Sequence, residues 1–255
     1  MSEFTHQAEA FDRAPVYRAA DTLDRLVAAL PLAAGQSWLD VACGTGIVSV
    51  ALAGHVGQVT GLDMTPAMLA QARAAAAARG VPNARFIEGD ASALPFPPGM
   101  FDGALTRFSL HHIPVPGRVV GQMARAVRPG GWVALADSLT ADDGGVAAWH
   151  QEIERLRDPS HWACLSPHAF FRLGEPWGLT LASRQVVPFS LDFEEWLVRG
   201  SGGATHRPLI AGLLAAAPPG SADAFAVTDD GRLHYRLGLA IWQRPEETTV
   251  KELAR

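Results

Sequence analysis

Residues 39–46 read LDVACGTG, and this stretch decides the fold that the sequence predicts. The apolar run of residues 37–42 predicts a buried strand in front of the glycines. The small, helix-compatible residues from Ile47 to Ala53 predict a helix directly behind them. Gly44 and Gly46 let the backbone turn tightly between the two and pass close to a ligand. The stretch therefore predicts a strand, a turn and a helix, the first unit of an α/β sheet.

The alternation of strands and helices continues towards the C-terminus. Further strands are predicted at residues 58–63, 84–88, 101–107 and 132–137, and helices at 66–79 and 116–127. Parallel crossovers need covering helices, so this order predicts an α/β fold with a doubly wound, mostly parallel sheet. Two later strand-like segments, 179–189 and 234–242, make the sheet seven-stranded.

The rest of the chain is predicted to form parts that surround this sheet. Residues 1–35 predict an N-terminal helical lid, in which Phe4, Phe11 and Tyr17 lie over the ligand. Residues 36–245 form the main domain, and the irregular insertions at about 139–178 and 191–231 form an α-helical cap. Four tryptophans in these insertions are candidates for an apolar pocket or for the core: Trp149, Trp162, Trp177 and Trp196. Residues 246–255 are a polar tail.

Composition excludes several classes of function. The 255 residues contain 21 basic side chains, of which only Lys251 is a lysine, so a P-loop and an internal Schiff base are both excluded. A net charge of −5 offers no general attraction for nucleic acid. The polar, acidic first residues are unlike a secretory signal, and no apolar run approaches the ~20 residues of a membrane span. We therefore expect a cytoplasmic protein with a small-molecule partner, no membrane and no nucleic acid.

The acidic residues around the glycine turn favour an adenosine ligand. Asp63 ends the second predicted strand, 19 residues after Gly44, where a carboxylate can bind both hydroxyls of a ribose. The dinucleotide fingerprint is incomplete because Ser49 stands at its third glycine position. Asp40, next to the turn, suits a ligand with an ammonium group. S-adenosylmethionine (SAM) fits this pattern better than NAD, which remains an alternative for an oxidoreductase.

The sequence resembles the class I SAM-dependent methyltransferases, particularly the ubiquinone/menaquinone C-methyltransferase-like small-molecule group. Five short segments carry the resemblance, which covers about residues 38–137: DVACGTG at 40–46, LDM at 62–64, GDA at 89–91, SLHH at 109–112 and RPGG at 128–131. The resemblance implies a Rossmann-like fold, SAM as the cofactor and methyl transfer as the reaction.

The resemblance also implies which residues bind the cofactor. Gly44, Thr45 and Gly46 would line its methionine part, and Asp40 would hold the ammonium group. Asp63 would bind the ribose, while Met64 and Asp90 with Ala91 would contact the adenine. The complete implied set is Asp40, Ala42, Gly44, Thr45, Gly46, Asp63, Met64, Asp90, Ala91 and Arg107. In the competing interpretation, Asp63 or Asp90 only caps the helix that follows it.

Candidate catalytic residues lie at the end of the fourth strand. His111 and His112 are candidate bases because imidazole titrates near neutral pH, although either ring could instead hold the loop by hydrogen bonds. Arg107 could bind an acidic substrate group or pair with Asp102, Asp137 or Asp158. His161 could close over the substrate or belong to a salt-bridged helix end. No local spacing predicts a metal site.

The sequence thus predicts transfer of the SAM methyl group to a small, apolar or aromatic metabolite. The alternative is a SAM- or S-adenosylhomocysteine-binding protein of the same fold, whose cap catalyses a non-methylating cyclisation or acts as a binding module. The acceptor atom and the oligomeric state do not follow from the sequence.

Overall fold

A computed structural model of the chain describes residues 20–246. Its eight strands are β1 (Ser37–Val41), β2 (Gln58–Asp63), β3 (Ala84–Glu88), β4 (Phe101–Arg107), β5 (Val127–Leu139), β6 (Thr180–Asp192), β7 (Phe225–Val227) and β8 (Arg232–Gln243). The α-helices of this range are α1 (Ala20–Ala29), α2 (Ile47–Ala53), α3 (Pro66–Ala78), α4 (Pro116–Ala126), α5 (Gly144–Arg157), α6 (Pro167–Phe171), α7 (Phe193–Arg199) and α8 (Gly203–Ala215).

One mixed sheet organises the described chain. Its strand order is β3-β2-β1-β4-β5-β8-β6, and the short β7 pairs with β8. The strands β1 to β5 pair in parallel, whereas β8 pairs antiparallel with both β5 and β6. The chain order reverses between β1 and β4, and ligands of doubly wound sheets bind outside the carboxyl ends of the strands at such a point. The predicted doubly wound, mostly parallel sheet of seven strands is confirmed, with β7 as an addition.

Both faces of the sheet are covered, and most residues of its central strands β1 and β4 are buried. In β1, the side chain of Trp38 packs with α1 and α2, whereas Leu39 and Val41 pack with α4 on the other face. All three side chains are fully buried. A parallel strand that is buried on both faces is typical of an α/β fold, and this explains the continuous apolar run in the sequence.

A separate apolar cluster lies beyond the sheet, where β6 and β8 extend past β5. It joins α5, α7, α8 and β7 to the ends of β6 and β8, and Trp196, Phe225 and Tyr235 are buried in it. Residues 167–177, in contrast, pack on the sheet itself, since Phe170 and Phe171 belong to the core around α4. The first of the two stretches that the sequence marks as insertions is therefore divided, since α5 packs with the second stretch whereas residues 167–177 pack on the sheet. We call the cluster of α5, α7, α8 and β7 the helical cap.

Two differences from the predicted elements have physical reasons. β5 begins at Val127 rather than at Trp132, because Val127 pairs with Phe101 before an irregularity interrupts the register. β7 was expected to be irregular, and it forms because Phe225–Val227 finds backbone partners on the extended β8. Most of the predicted lid, including Phe4, Phe11 and Tyr17, and the tail after Glu246 lie outside the described residues.

Candidate functional site

A pocket of about 1290 Å³ opens at the carboxyl ends of β1, β2 and β4. Its lining includes most of the cofactor-binding residues predicted from the sequence: Ala42, Gly44, Thr45, Asp63, Met64, Asp90, Ala91 and Arg107. His112 also lines it, whereas Asp40, Gly46 and His111 do not. We call this space the cofactor pocket.

The loop after β1 adopts left-handed backbone conformations that residues other than glycine rarely adopt. Gly44 and Gly46 have positive φ angles of 52° and 78°, and Ala42 has a φ of 55° despite its Cβ atom. A non-glycine residue in this region is strained, and such strain is concentrated at functional sites. Gly46 is also a packing position, because an added Cβ atom would lie 2.9 Å from that of Ala72. Gly46 thus shapes the loop from beneath the pocket.

Asp63 connects the loop to the end of β2. One of its carboxylate oxygens accepts a hydrogen bond from the backbone N–H of Gly44 and the other accepts one from Thr65, both at 2.9 Å. The N-cap residue of α3 is Thr65, so Asp63 is not the cap of that helix. Each carboxylate oxygen keeps a second lone pair, and the residue lines the pocket. Asp63 is therefore held in one orientation by two backbone donors while remaining able to accept further hydrogen bonds.

Asp90 and Met64 lie on the exposed side of the cofactor pocket. The carboxylate of Asp90 accepts hydrogen bonds from the backbone N–H and the hydroxyl of Ser92, at 2.7 and 2.8 Å. These hydrogen bonds lower the pKa of Asp90. No α-helix follows Asp90 before Pro116, so the capping interpretation does not apply. Met64 leaves 67% of its surface exposed at the pocket, an unusual position for a large apolar side chain.

Asp40 lies beneath the cofactor pocket rather than in its wall. It is 1% exposed and accepts a hydrogen bond of 2.6 Å from the hydroxyl of Ser49. Burial raises the pKa of Asp40 to about 7, although the bond to Ser49 opposes the shift. The predicted contact between Asp40 and an ammonium group remains a prediction.

Arg107 and Phe108 form the wall at the end of β4. The guanidinium group of Arg107 donates a hydrogen bond of 2.9 Å to the hydroxyl of Thr22 on α1, and it lies 4.5 Å from the centre of the Phe108 ring. Thr22 is thus a partner that the sequence alternatives for Arg107 did not include. Phe108 has a φ of 51°, the second strained non-glycine backbone among the described residues. Both strained positions therefore line the same pocket.

His111 is paired with Asp137, which lies near the end of the neighbouring strand β5. The ring Nδ1 of His111 lies 2.6 Å from the Asp137 carboxylate, which also accepts the backbone N–H of Leu110 at 2.7 Å. Burial lowers the pKa of His111, but the charge of Asp137, its hydrogen bond to the ring and the charge of Glu154 together outweigh burial, so the net shift is upward. The carboxylate fixes the orientation of the ring, as the acid of a hydrogen-bonded Asp-His pair does.

His112 has different surroundings. Its Nδ1 lies 3.1 Å from the hydroxyl oxygen of Ser160, and that hydroxyl donates a hydrogen bond of 2.6 Å to the carboxylate of Asp158. Burial and the adjacent His111 lower the pKa of His112 to about 3. The ring is therefore neutral but a weak base.

A second cavity, of about 460 Å³, lies between the sheet and the helical cap. Phe108 lines both this space and the cofactor pocket, so the two adjoin at the end of β4. Its other lining residues combine aromatic and polar side chains, namely His111, Ser138, Glu154, Arg157, His161, Cys164, Phe189, Leu191, Trp196, Arg199 and Tyr235. We call this space the cap cavity.

Glu154 is the centre of a buried polar network in the wall of the cap cavity. Its carboxylate binds the guanidinium of Arg157 at 3.0 Å and accepts a hydrogen bond from the hydroxyl of Tyr235. Burial disfavours the ionised form of Glu154, but Arg157 and His150 hold the pKa of this carboxyl well below its usual range. A buried carboxylate is stable only with such partners. The network gives the cap cavity a polar wall that its aromatic composition alone did not predict.

The four candidate tryptophans separate into different environments. Trp196 lines the cap cavity and Trp149 is buried in the helical cap, where its ring N–H donates to the carbonyl of Leu213 at 2.7 Å. Trp162 and Trp177 are 54% and 47% exposed. Within residues 20–246, no three His, Cys, Asp or Glu side chains form a group that could hold a metal ion, and no helix is long and apolar enough to cross a membrane.

The sequence matches the methyltransferase-domain family over residues 39–131, the segment that builds the cofactor pocket. It is similar to the phosphatidylethanolamine N-methyltransferase of Cereibacter sphaeroides, with 36% identity over 54% of this chain and 68% of the relative. The chain belongs to the class I SAM-dependent methyltransferases.

Similarity to one relative extends over nearly the whole chain. YcgJ of Bacillus subtilis, named an uncharacterized methyltransferase, is 27% identical over 88% of this chain and 89% of its own length. Its crystal structure superimposes with a TM-score of 0.81 over 90% of this chain and 100% of YcgJ. A geranyl diphosphate methyltransferase in complex with SAM has the same fold, with a TM-score of 0.62, 17% identity and coverage of 88% and 84%.

Sequence reasoning did not identify several residues of the site. The sequence analysis considers Asp137 only as a partner for Arg107, although its position near the end of β5, beside β4, is a signal for pairing with His111. Glu154 and Tyr235 carry no local motif. They meet because α5 packs against the end of β8, which sequence spacing does not reveal.

Proposed function

We propose that this chain transfers the methyl group of SAM to a small metabolite bound in the cap cavity. The observation that carries the proposal is the shared wall at Phe108, which borders both the cofactor pocket and the cap cavity. A methyltransferase needs a donor site and an acceptor site that adjoin, because the transfer is an in-line displacement between two bound molecules.

The cofactor pocket suits SAM by the chemistry of its wall. The fixed carboxylate of Asp63 is suited to the ribose hydroxyls, and the exposed Met64 offers an apolar face to the adenine ring. Asp90 and Ala91 would contact the adenine edge, while Ala42, Gly44 and Thr45 would surround the methionine part. SAM would supply an electrophilic methyl group on a sulfonium ion. The chain's own residues then position the acceptor and exclude water.

Within this proposal, His111 is a better candidate base than His112. The Asp137 carboxylate orients the His111 ring and raises its pKa, so the ring takes up a proton more readily near neutral pH. His111 also lines the cap cavity, where the acceptor would lie. The low pKa of His112 disfavours it as a base, and its place in the cofactor pocket suits a contact with the donor. Arg107 would stabilise the wall of the cofactor pocket through Phe108 and Thr22.

The lining of the cap cavity favours a small methyl acceptor with an apolar or aromatic body. Phe108, Phe189, Trp196 and Tyr235 supply the aromatic part of the cavity wall. In this proposal the insertions form the cap of the domain.

The experiment combines calorimetry with transfer of a labelled methyl group. The full chain should bind SAM and S-adenosylhomocysteine but not NAD. It should also transfer tritium from methyl-labelled SAM into a pool of small metabolites. Binding of SAM without any labelled product would favour the alternative, a protein that holds the cofactor while its cap binds or cyclises another molecule. Stabilisation by NAD and not by SAM would exclude the proposal.

A further inference from the structure

The cap cavity contains a buried hydrogen-bond acceptor that the proposed reaction does not use. His161 is only 5% exposed and lines this cavity. Its ring Nδ1 is buried and has no hydrogen-bond partner among residues 20–246. A buried polar atom without a partner is energetically unfavourable, so such atoms are rare unless a ligand or water satisfies them.

Gln151 decides which nitrogen of the His161 ring carries hydrogen. The Oε1 atom of Gln151 accepts the backbone N–H of Cys164 at 2.9 Å, and its amide nitrogen donates to the Cys164 carbonyl at 2.8 Å. Backbone donors and acceptors have fixed roles, so the side-chain amide has only this orientation. The same Oε1 lies 2.7 Å from Nε2 of His161. Nε2 must therefore donate, and it carries the hydrogen.

The other nitrogen of His161 is consequently an obligatory acceptor. Burial and the nearby His111 lower the pKa of His161 to about 3, although Glu154 acts in the opposite direction. A neutral ring with hydrogen on Nε2 keeps a lone pair on Nδ1. Because Gln151 blocks the alternative tautomer, Nδ1 cannot become a donor without breaking the bond to Gln151.

We propose that His161 is a specificity residue for the methyl acceptor and that its Nδ1 accepts a hydrogen bond from a hydroxyl or N–H group of that acceptor. This inference rests on the proposed function and defines the class of substrate. The acceptor carries a hydrogen-bond donor besides an apolar or aromatic body. An ether or a hydrocarbon of the same shape would leave Nδ1 buried without a partner and would bind more weakly.

The arrangement of the histidines separates this donor group from the atom that is methylated. His112 lines the cofactor pocket, and its ring centre lies 4.1 Å from that of His111. The ring of His161 lies 5.7 Å from that of His111 and lines the cap cavity. His111 would act on the reacting group, whereas His161 would hold a second group further from the cofactor. That second group remains unmethylated in the product.

Two substitutions separate the role of Nδ1 from that of Nε2. In His161→Gln, the side-chain amide can still donate to Gln151 but places no acceptor at the position of Nδ1. In His161→Asn, the shorter amide keeps an acceptor near Nδ1 but cannot reach Gln151. If His161 is only structural, the Gln variant should be the less damaging of the two. If Nδ1 binds the acceptor, the Asn variant should be the less damaging.

The closing experiment measures transfer of tritium from labelled SAM into a small-metabolite pool by the full chain and both variants. We expect the rate at limiting acceptor to fall roughly tenfold in His161→Gln and to stay within about threefold in His161→Asn, the size of one lost hydrogen bond. Calorimetry should show unchanged SAM affinity in both, and ¹⁵N NMR of the wild-type ring should show hydrogen on Nε2 alone. Mass spectrometry of the methylated product after exchange in D₂O should show at least one exchangeable hydrogen.

Four results would overturn the inference. These are hydrogen on Nδ1, a wild-type rate in His161→Gln, a loss in His161→Asn that equals or exceeds the loss in His161→Gln, and a product without exchangeable hydrogen. Failure of the proposed function looks different, because the wild type itself would then bind SAM and form no labelled product. In that case the inference about the acceptor is also wrong, whereas the NMR result on the tautomer of His161 is unaffected.

Discussion

The carboxylate of Asp63, at the end of β2, accepts a hydrogen bond of 2.9 Å from the backbone N–H of Gly44, in the loop after β1. One side chain thus holds the two segments that build the cofactor pocket. The strained backbone of Ala42 and the positive φ of Gly44 are part of the same loop. This hydrogen bond helps to fix the shape of the loop, and the first prediction tests the arrangement.

Replacing Asp63 with Ala should weaken SAM binding at least tenfold, because the ribose contact and the support of the loop are lost together. Calorimetry of SAM and S-adenosylhomocysteine binding measures the effect. Asp229→Ala, at an exposed position, is the matched control and should bind like the wild type. An unchanged affinity in Asp63→Ala would contradict the assignment of the cofactor pocket.

Asp137→Asn should lower the rate of methyl transfer and change its dependence on pH. The carboxylate raises the pKa of His111, and a base must be unprotonated, so wild-type activity should rise as the pH increases through this raised pKa. Removing the charge lowers the pKa of His111 and should shift the rise to lower pH. A pH profile of transfer into the metabolite pool measures both effects. Equal profiles for the variant and the wild type would show that His111 is not the base.

Asp40→Asn should stabilise the fold above neutral pH. Burial raises the pKa of Asp40 from 3.8 to about 7, so its contribution to stability is present below pH 4 and is lost as the pH rises through 7. The Asn side chain can still accept the hydrogen bond from Ser49. We expect a gain of about 1–4 kcal/mol at pH 8 and little change at pH 4. Urea unfolding without ligand, at both pH values, measures the gain, and a loss at pH 8 would contradict it.

Gly46→Ala should destabilise the protein more than Gly80→Ala. Both glycines have positive φ, but only at Gly46 would the new Cβ atom come within 3 Å of a neighbour, that of Ala72. Gly80→Ala therefore measures backbone strain alone, about 1 kcal/mol, whereas Gly46→Ala adds overpacking of about 1–3 kcal/mol. Thermal unfolding of both variants compares the two costs. Equal losses would show that the space around Gly46 adjusts freely.

Local patterns in the sequence were sufficient to predict the sheet and most of the cofactor pocket. The apolar strands, the proline starts of α3 and α4, and the glycine turn are signals carried by neighbouring residues, and the structure confirms the elements they predict. Most residues of the cofactor pocket could be predicted because the carboxyl ends of parallel strands meet at one edge of the sheet. Asp40 shows the limit of this reasoning, since a residue next to the loop lies under the pocket and not in it.

The partners in the cap could not be predicted in this way. Tyr235 and Glu154 are 81 positions apart, and His161 meets Gln151 only through a turn after α5. Such contacts depend on how helices pack on the extended ends of β6 and β8. No periodic pattern in the chain encodes that packing.

The sequence by itself therefore determined the α/β sheet, the glycine loop and two acids of the pocket, Asp63 and Asp90, because periodicity and strand order are local properties. Only the tertiary structure decided that Asp137 orients His111, that Thr22 binds Arg107, and that the Nδ1 of His161 is left as a buried acceptor in the cap cavity. The physical reason is that hydrogen bonding and burial set the proton position and the pKa of a side chain, and both depend on neighbours that are distant in the chain.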